Sequence, residues 1–271
     1  MTVVAQWDPA DYAAHSASQR AWARELLARL PLRGDERILD VGCGDGKVTA
    51  ELARAVPRGW VTGVDRSRAM IRFARANHPP AAYPNLRFVV MDARRLRTRG
   101  FFDLVFSNAA LHWVDDHQAF LRGAARCLAP GGRLVVSCGG RGNAQAMFLA
   151  IRAVLRLKPW RGYFRGLRRP YHFHGPEDYE RWLPQCGLRP LRVELVPRQA
   201  VFANRTELAG WLRTTWLPYT QRVPEVHRPD FIAAVCEHYL AQHPPDAEGR
   251  VSVGMVRLEI EAVKNLQPAE H

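Results

Sequence analysis

Residues 37–46 constrain this chain more than any other stretch. Arg37-Ile38-Leu39-Asp40-Val41 is a short aliphatic, β-branched run, the mark of a buried strand. Gly42, Gly44 and Gly46 follow at every second position, and Val48, Leu52, Ala55 and Val56 then recur at helical spacing. Strand, glycine turn and helix in that order make a cradle. Glycine adopts backbone angles closed to other residues and lets a ligand lie against the main chain. The first N–H groups of the helix have no partner inside it and point at that ligand. The stretch is a cofactor site, and its neighbours decide which cofactor.

A phosphate-binding loop needs G-x-x-x-x-G-K-[ST]. Here Gly42 and Gly46 are one position too close, and Val48 stands where the hydroxyl belongs. A dinucleotide fingerprint needs G-x-G-x-x-G, and the third glycine comes one residue early. Asp40, at the end of the strand, repels a phosphate and suits a cationic ligand. A tight turn without any ligand leaves the acids further along the chain unexplained.

Those acids come in register. Residues 60–65 read as a second strand ending in Asp65, 19 residues past Gly46, close to the spacing at which an acid meets a ribose diol. Ser67 can cap a helix over 68–77. Met70 in it is polarisable and suits the face of an adenine, though core packing explains it equally. Residues 86–91 form a third strand, ending in Asp92-Ala93, where a carboxylate can accept an amino group. Residues 101–107 form a fourth, followed by Asn108-Ala109-Ala110-Leu111-His112-Trp113. A helix over 115–128, a Pro130-Gly131-Gly132 turn and a strand over 133–138 complete the pattern. Strand, loop and helix at this spacing imply a parallel sheet with helices on both faces and ligands at the strands' carboxyl ends. Asp40, Asp65, Asp92 and Asn108 all stand at such ends.

Around this unit the chain is less regular. Residues 7–12 read as an irregular start. Ser16 or Ser18 caps a helix over 16–30, with Gln19 near its start. Beyond 140, helices are expected over 144–157 and 177–186, with an aromatic, basic loop over 158–176 between them. A strand over 189–196 continues past a bulge at Pro197 to 202. Helices over 206–217 and 228–243 come next, and an alternating strand over 251–264 closes the chain, antiparallel. Residues 204–249 thus interrupt the last two strands and form a helical cap over the cradle's end of the sheet. Trp211, Trp216, Tyr219 and Phe231 belong to it. Packing of the cap explains most of them, and a cap also builds an apolar small-molecule pocket.

Composition narrows the partners. No apolar run reaches the roughly 18 residues of a membrane span, and the first ten residues lack the pattern of a signal peptide. Five scattered cysteines without a C-x-x-C fit neither a disulfide framework nor a zinc site, and point to a reducing cytoplasm. The net charge is +13, and only Lys47, Lys158 and Lys264 of the 39 basic residues are lysines. The arginines are spread along the chain rather than gathered, so a small anionic substrate outweighs nucleic acid. Nothing in the sequence reads on oligomeric state.

Asp40-Val41-Gly42-Cys43-Gly44-Asp45-Gly46, Gly63-Val64-Asp65, Met91-Asp92-Ala93, the segment from Phe102 to Trp113 and Leu128-Ala129-Pro130-Gly131-Gly132 together resemble the class I S-adenosylmethionine (SAM) methyltransferases. Ser107-Asn108-Ala109-Ala110-Leu111-His112-Trp113 is similar to trans-aconitate methyltransferases and to the malonyl carrier-protein methyltransferase of biotin synthesis. Leu111-His112-Trp113-Val114, Ser18-Gln19-Arg20 and the second half look most like juvenile hormone acid methyltransferases. All three groups make methyl esters of carboxylic acids.

The resemblance implies a Rossmann-like α/β fold: a doubly wound, mostly parallel seven-stranded sheet with an antiparallel last strand and a helical cap. It implies one domain over 1–271, with a SAM-binding core at about 32–140, a substrate cap at about 141–188 and 204–249, and the helix at 16–30 contributing. SAM is the implied cofactor, S-adenosylhomocysteine (SAH) its product, and no metal takes part. Asp40, Gly42, Cys43 and Gly44 would line the methionine part. Asp65 would bind the ribose, with Arg66 and Met70 near the adenine, whose edge Asp92 and Ala93 would read. Asn108, Ala109 and Leu111 would pass beside the sulfonium. Gln19 and Trp113 match positions that hold a substrate carboxylate, and His112, Trp216 and Tyr219 would line the substrate.

Two alternatives share these residues. His112 could be a general base for a hydroxyl or amine acceptor, against the plainer reading that it packs in the wall. A basic SAM protein that binds nucleic acid is the more distant one; the Asn-Pro-Pro-Tyr-like signature of enzymes that methylate nucleic-acid amino groups is absent after the fourth strand.

Overall fold

A computed structural model describes residues 7–15, 17–168 and 170–266, with the side chains of residues 15–19 outside the description. The expected cap at Ser16 and the side chain of Gln19 therefore lie outside the described residues. The chain forms two compact units, one built of Gln19–Arg141, Tyr171–Val196 and Arg257–His271, the other of Met1–Ser18, Gly142–Pro170 and Pro197–Val256. These bounds differ from the expected core and cap: residues 171–188 belong with the core, and both divisions near the end fall inside strands.

The first unit holds β1 (Arg37–Val41), β2 (Trp60–Asp65), β3 (Leu86–Val90), β4 (Phe102–Asn108) and β5 (Leu128–Gly139), with β6 (Leu188–Phe202) and β7 (Val251–Lys264) completing the sheet. The order is β3-β2-β1-β4-β5-β7-β6, seven strands. β1 pairs in parallel with β2 and β4, β2 with β3, and β4 with β5. β7 runs antiparallel to β5. The order reverses between β1 and β4, and there the carboxyl ends open into the crevice in which such sheets bind ligands.

Period-two alternation sends the strands' side chains to two cores. Leu39, Val41, Val105, Leu134 and Val136 face a cluster that takes in Phe120, Tyr179 and Leu183 from α5 (His117–Cys127) and α7 (Pro176–Gln185). Ile38, Leu104, Phe106 and Val135 face the opposite cluster, with Leu26, Leu52 and Ile71 from α2 (Ala17–Ala28), α3 (Lys47–Ala55) and α4 (Arg68–Asn77). Arg20 and Arg24 bind Glu51 at 2.6 and 2.9 Å, which ties α2 to α3.

Three expectations need correction. Residues 9–15 are not irregular: α1 (Pro9–His15) starts there, because the Asp8 carboxylate accepts the N–H groups of Ala10 and Asp11 and Pro9 needs no partner at a helix start. The Pro130-Gly131-Gly132 stretch is a bulge within β5, between the pairs Phe102–Leu128 and Leu104–Arg133. β6 runs unbroken through Pro197, as an edge strand permits.

The second unit is mainly helical: α1, α6 (Gln145–Val154), α8 (Arg205–Thr215), α9 (Leu217–Thr220) and α10 (Arg228–Leu240). Asp11 of α1 pairs with Arg213 of α8 at 2.7 Å. Among the described residues, no helix is long and apolar enough to cross a membrane.

Candidate active site

The glycine turn is held by its own main chain. The N–H groups of Gly42 and Cys43 both donate to the Val64 carbonyl, at 2.7 and 3.0 Å, which locks β1's exit onto β2. Gly42, Gly44 and Gly46 have φ of 79°, 53° and 83°. Two of these glycines answer to neighbours within the chain. A Cβ on Gly42 would stand 2.1 Å from the Ala110 Cβ, and one on Gly46 would stand 2.7 Å from Phe88. So Gly42 is small because the segment after β4 crosses over it. The same substitution-intolerant turn presents the start of α3, whose N-cap, Gly46, has no side-chain cap. The Cys43 thiol is buried, and burial raises its pKa well above the usual value, with Asp65 and Asp40 adding to it.

Asp40 is buried under the turn and accepts the Thr49 hydroxyl at 2.7 Å. Burial pushes its pKa up to about 7; the Thr49 bond opposes this and the Asp65 charge adds to it. A cation beside it would restore the carboxylate. Asp65 accepts the Ser67 N–H at 2.7 Å and the Gly44 N–H at 3.1 Å. Those two bonds set the carboxylate's orientation and offset part of the upward pull of burial on its pKa. Each oxygen keeps a lone pair, enough for a vicinal diol. Arg66 is exposed beside it, and Met70 is buried in the first turn of α4, which Ser67 caps.

Asp92 differs from the simple expectation. Both its oxygens bind the Arg94 guanidinium, at 2.7 to 3.3 Å, and this pairing holds its pKa below the usual range. Arg94 also reaches Asp115 at 2.8 Å. An adenine amino group would share the Asp92 oxygens with that guanidinium. Ala93 opens the short helical turn that follows, partly buried against the core.

On the other side of the crevice, Asn108 ends β4 and Ala109 takes a left-handed conformation, φ 56°. Non-glycine residues held there are commonly part of a site. The Ala109 N–H donates to the Ser137 carbonyl at 2.7 Å, and the buried Ser107 hydroxyl donates to the Val41 carbonyl at 2.7 Å. Leu111 is fully buried in the core.

His112 is no base. Its Nδ1 accepts the Gly139 N–H at 3.2 Å, and its carbonyl accepts the His172 N–H. Burial pushes its pKa down to about 3, helped by the charges of Arg257 and His117. The arrangement suits the plainer of the two readings of His112, a residue packed in the wall. Trp113 packs on Tyr171 with ring centroids 4.8 Å apart, and Tyr171 stacks on Phe173 at 5.7 Å and 2°. Tyr171 and Phe173 lie in an aromatic, basic segment without periodicity, so their place against Trp113 and His112 respectively has no local signal. Arg257, whose guanidinium donates to Asn108 Oδ1 at 3.2 Å, was equally hidden.

Trp216 and Tyr219 lie inside the helical unit. Trp216 packs on Phe148 at 4.6 Å and Trp211 at 5.6 Å, and both residues are buried. Two clefts of about 1040 and 610 Å³ open on that unit, and neither wall includes them. Both pack among the unit's aromatic side chains.

A methyltransferase-domain family model matches residues 38–132, the span from β1 into β5. A trans-aconitate 2-methyltransferase of Azoarcus sp. is 30% identical over 259 residues, covering 95% of this chain and 99% of its own. The chain belongs to the SAM-dependent methyltransferases. Among solved structures, the methyltransferase resembles a putative methyltransferase of Bacillus halodurans, with TM-score 0.62, 18% identity, and coverage of 90% of this chain and 99% of that one. It also resembles a geranyl diphosphate C-methyltransferase of Streptomyces coelicolor bound to Mg2+, geranyl diphosphate and SAH, with TM-score 0.54, 19% identity, and coverage of 91% and 79%. The cradle of the methyltransferase fits the cofactor: a glycine turn that leads into a helix start, an oriented carboxylate at Asp65, and a buried acid at Asp40 that a cation would ionise.

Proposed function

We propose that this methyltransferase esterifies a small organic acid, with a carboxylate oxygen as the methyl acceptor. The observation that carries the reading is the state of His112. Its Nδ1 is committed to the Gly139 N–H, and its pKa of about 3 leaves it neutral and a poor proton acceptor. A hydroxyl or amine acceptor must lose a proton on the way to product. A carboxylic acid, with an ordinary pKa of roughly 4, arrives ionised and asks for no base. The relatives named for trans-aconitate 2-methylation support the same acceptor chemistry.

The cofactor supplies a methyl carbon already activated by the sulfonium. The protein's part is to bind, orient and exclude water. Asp65, oriented by the Gly44 N–H, would hold the ribose end, and Asp40 with the glycine turn would face the methionine end. Asn108 and Ala109 would border the sulfonium. The Trp113 indole N–H and the Gln19 amide would donate to one acceptor oxygen and so aim the other. Tyr171 packs on the Trp113 ring and is itself stacked on Phe173, which would keep the indole in place.

The test is a panel of acceptors with SAM and the purified chain, read as SAH formed. Di- and tricarboxylic acids, fatty acids and terpenoid acids go against phenols and amines of similar size. Turnover confined to acids is expected. Turnover of phenols or amines alone would overturn the reading.

A further inference from the structure

We propose that the outer face of residues 149–168, in the helical unit, is a docking surface for an anionic lipid bilayer, a property independent of which group accepts the methyl. The arginines are spread along the chain, but the acids are not. No Asp or Glu stands between Asp116 and Glu177. That stretch holds 11 of the 39 basic residues and accounts for most of the net +13. Its part within the helical unit builds an exposed cationic face. α6 buries Met147, Ala150, Ile151 and Val154 and leaves Leu149 and Arg152 exposed. The helical turn continues past α6, with the Leu157 N–H donating to the Val154 carbonyl at 3.0 Å, so the exposed Arg156 follows on the same face. Trp160 and Phe164 then pack on Phe231 of α10, each with ring centroids 5.4 Å apart. Those buried rings anchor the segment and leave Lys158, Arg161, Arg165 and Arg168 exposed. The Arg222 guanidinium holds the same loop by donating to the Tyr163 and Arg165 carbonyls, at 3.4 and 3.3 Å.

Among the described residues, none of these six exposed cations forms an ion pair. Other arginines of the same unit do: Arg205 meets Glu237 at 2.8 Å, and Arg250 meets Asp246 at 2.8 Å. Cations gathered without counterions repel one another, and an external polyanion relieves that repulsion. Two observations choose a bilayer among polyanions. Leu149 and Leu157 are 58% and 54% exposed beside the cations. Protruding aliphatic side chains among cations suit a surface that is anionic outside and apolar beneath. A single-stranded nucleic acid is held instead by aromatic rings that stack on its bases. Here the Trp160 and Phe164 rings are buried and Tyr163 is half-buried. No helix among the described residues is long and apolar enough to cross a membrane, so the contact is peripheral.

The test is flotation of the purified protein with vesicles of phosphatidylcholine alone and of phosphatidylcholine mixed equally with phosphatidylglycerol. Binding should be at least about tenfold tighter to the anionic vesicles and should weaken as salt is raised. Each cation near an anionic surface strengthens binding by about fivefold, the equivalent of roughly 1 kcal/mol. Arg152→Gln combined with Arg156→Gln should therefore weaken it by about tenfold or more. Arg205→Gln combined with Arg250→Gln removes the same charge from arginines already paired with carboxylates, and should leave binding within about threefold of wild type. Leu149→Ser combined with Leu157→Ser should weaken it by about threefold or more at unchanged charge. All six positions are exposed, so the variants should melt as wild type does. Equal binding to both kinds of vesicle overturns the proposal, as do equal losses in the two arginine pairs, which would show an effect of net charge alone. A leucine pair that binds as wild type does removes the bilayer as the occupant. Tighter binding to poly-uridine than to the vesicles, lost with Arg152 and Arg156, would assign the face to nucleic acid instead.

Discussion

Gly42→Ala should cripple the site through Ala110 rather than through the cofactor. The new Cβ would stand 2.1 Å from the Ala110 Cβ, at φ 79°. Ordinary carbon contacts lie near 3.5–4 Å, so the segment after β4 must retreat by roughly 1.5 Å or the turn must open. The left-handed angle costs about 1–2 kcal/mol and overpacking about 1–3 kcal/mol more, together about 2–5 kcal/mol. At roughly 2–4 °C per kcal/mol for a chain of this size, the melting temperature should fall by about 4–20 °C. A displacement near 1 Å beside the reacting atoms should cost about a hundredfold in turnover. Ala110→Gly supplies the control. With that Cβ gone, the nearest atom to a Cβ at position 42 is the Cα of residue 110 at 3.6 Å, an ordinary contact. The double variant should recover the overpacking share, so the two changes should be non-additive by about 1–3 kcal/mol. Thermal melts and SAH titrations of the four proteins measure this. Additivity within about 0.5 kcal/mol, or a Gly42→Ala protein with wild-type melting and SAH affinity, would refute the packing argument.

With SAM saturating, so that Asp40 is already ionised by the bound cation, kcat/KM for an acid should be flat between pH 6 and 8.5, because His112, with its pKa near 3, stays neutral throughout; a limb near pH 6–7 that His112→Asn abolishes would contradict this. Asp40 has its folded pKa raised to about 7 from 3.8, so the stability tied to its neutral form is full below pH 3.8 and lost as pH rises through 7. Cofactor-free Asp40→Asn, neutral at every pH, should therefore gain in melting temperature over wild type between pH 5 and pH 8, and a gap that does not widen would tell against a buried acid. Asp65→Asn places an NH2 where an oxygen accepts a main-chain N–H and removes a charge from the ribose end. It should weaken SAH binding by at least about tenfold, given roughly 1.5–3 kcal/mol for hydrogen bonds to charged groups, and calorimetry showing unchanged affinity would remove Asp65 from the site.

The cofactor half of the molecule is legible in sequence because its signals are local. β1 and β2 fall where their aliphatic runs end in Asp40 and Asp65, and the turn's glycines sit beside them. The helix at Pro9 was written in Asp8 and Pro9, a start signal that Trp7 and the short length obscure. β5 reaches back past Pro130-Gly131-Gly132 because a bulge, rather than a turn, absorbs the extra residues. The acceptor half is less legible because its contacts are long-range. Tyr171 meets Trp113 from an irregular segment, and Arg257 meets Asn108 only because β7 inserts beside β5. The Asp92–Arg94 pair lies two residues apart, a local signal that the position of Asp92 at a strand's carboxyl end overlies. Trp216 and Tyr219 are legible only as aromatic residues of the helical part, where they are buried against Phe148 and Trp211.

The central claim is the bond that forms, and the most direct measurement is of the product. Wild-type protein incubated with methyl-labelled SAM and the acid that turns over should yield a labelled neutral ester, whose label mild alkali releases as methanol. A labelled product that withstands alkali, as an aryl ether or a methylamine does, would contradict the assignment of a carboxylate as the acceptor.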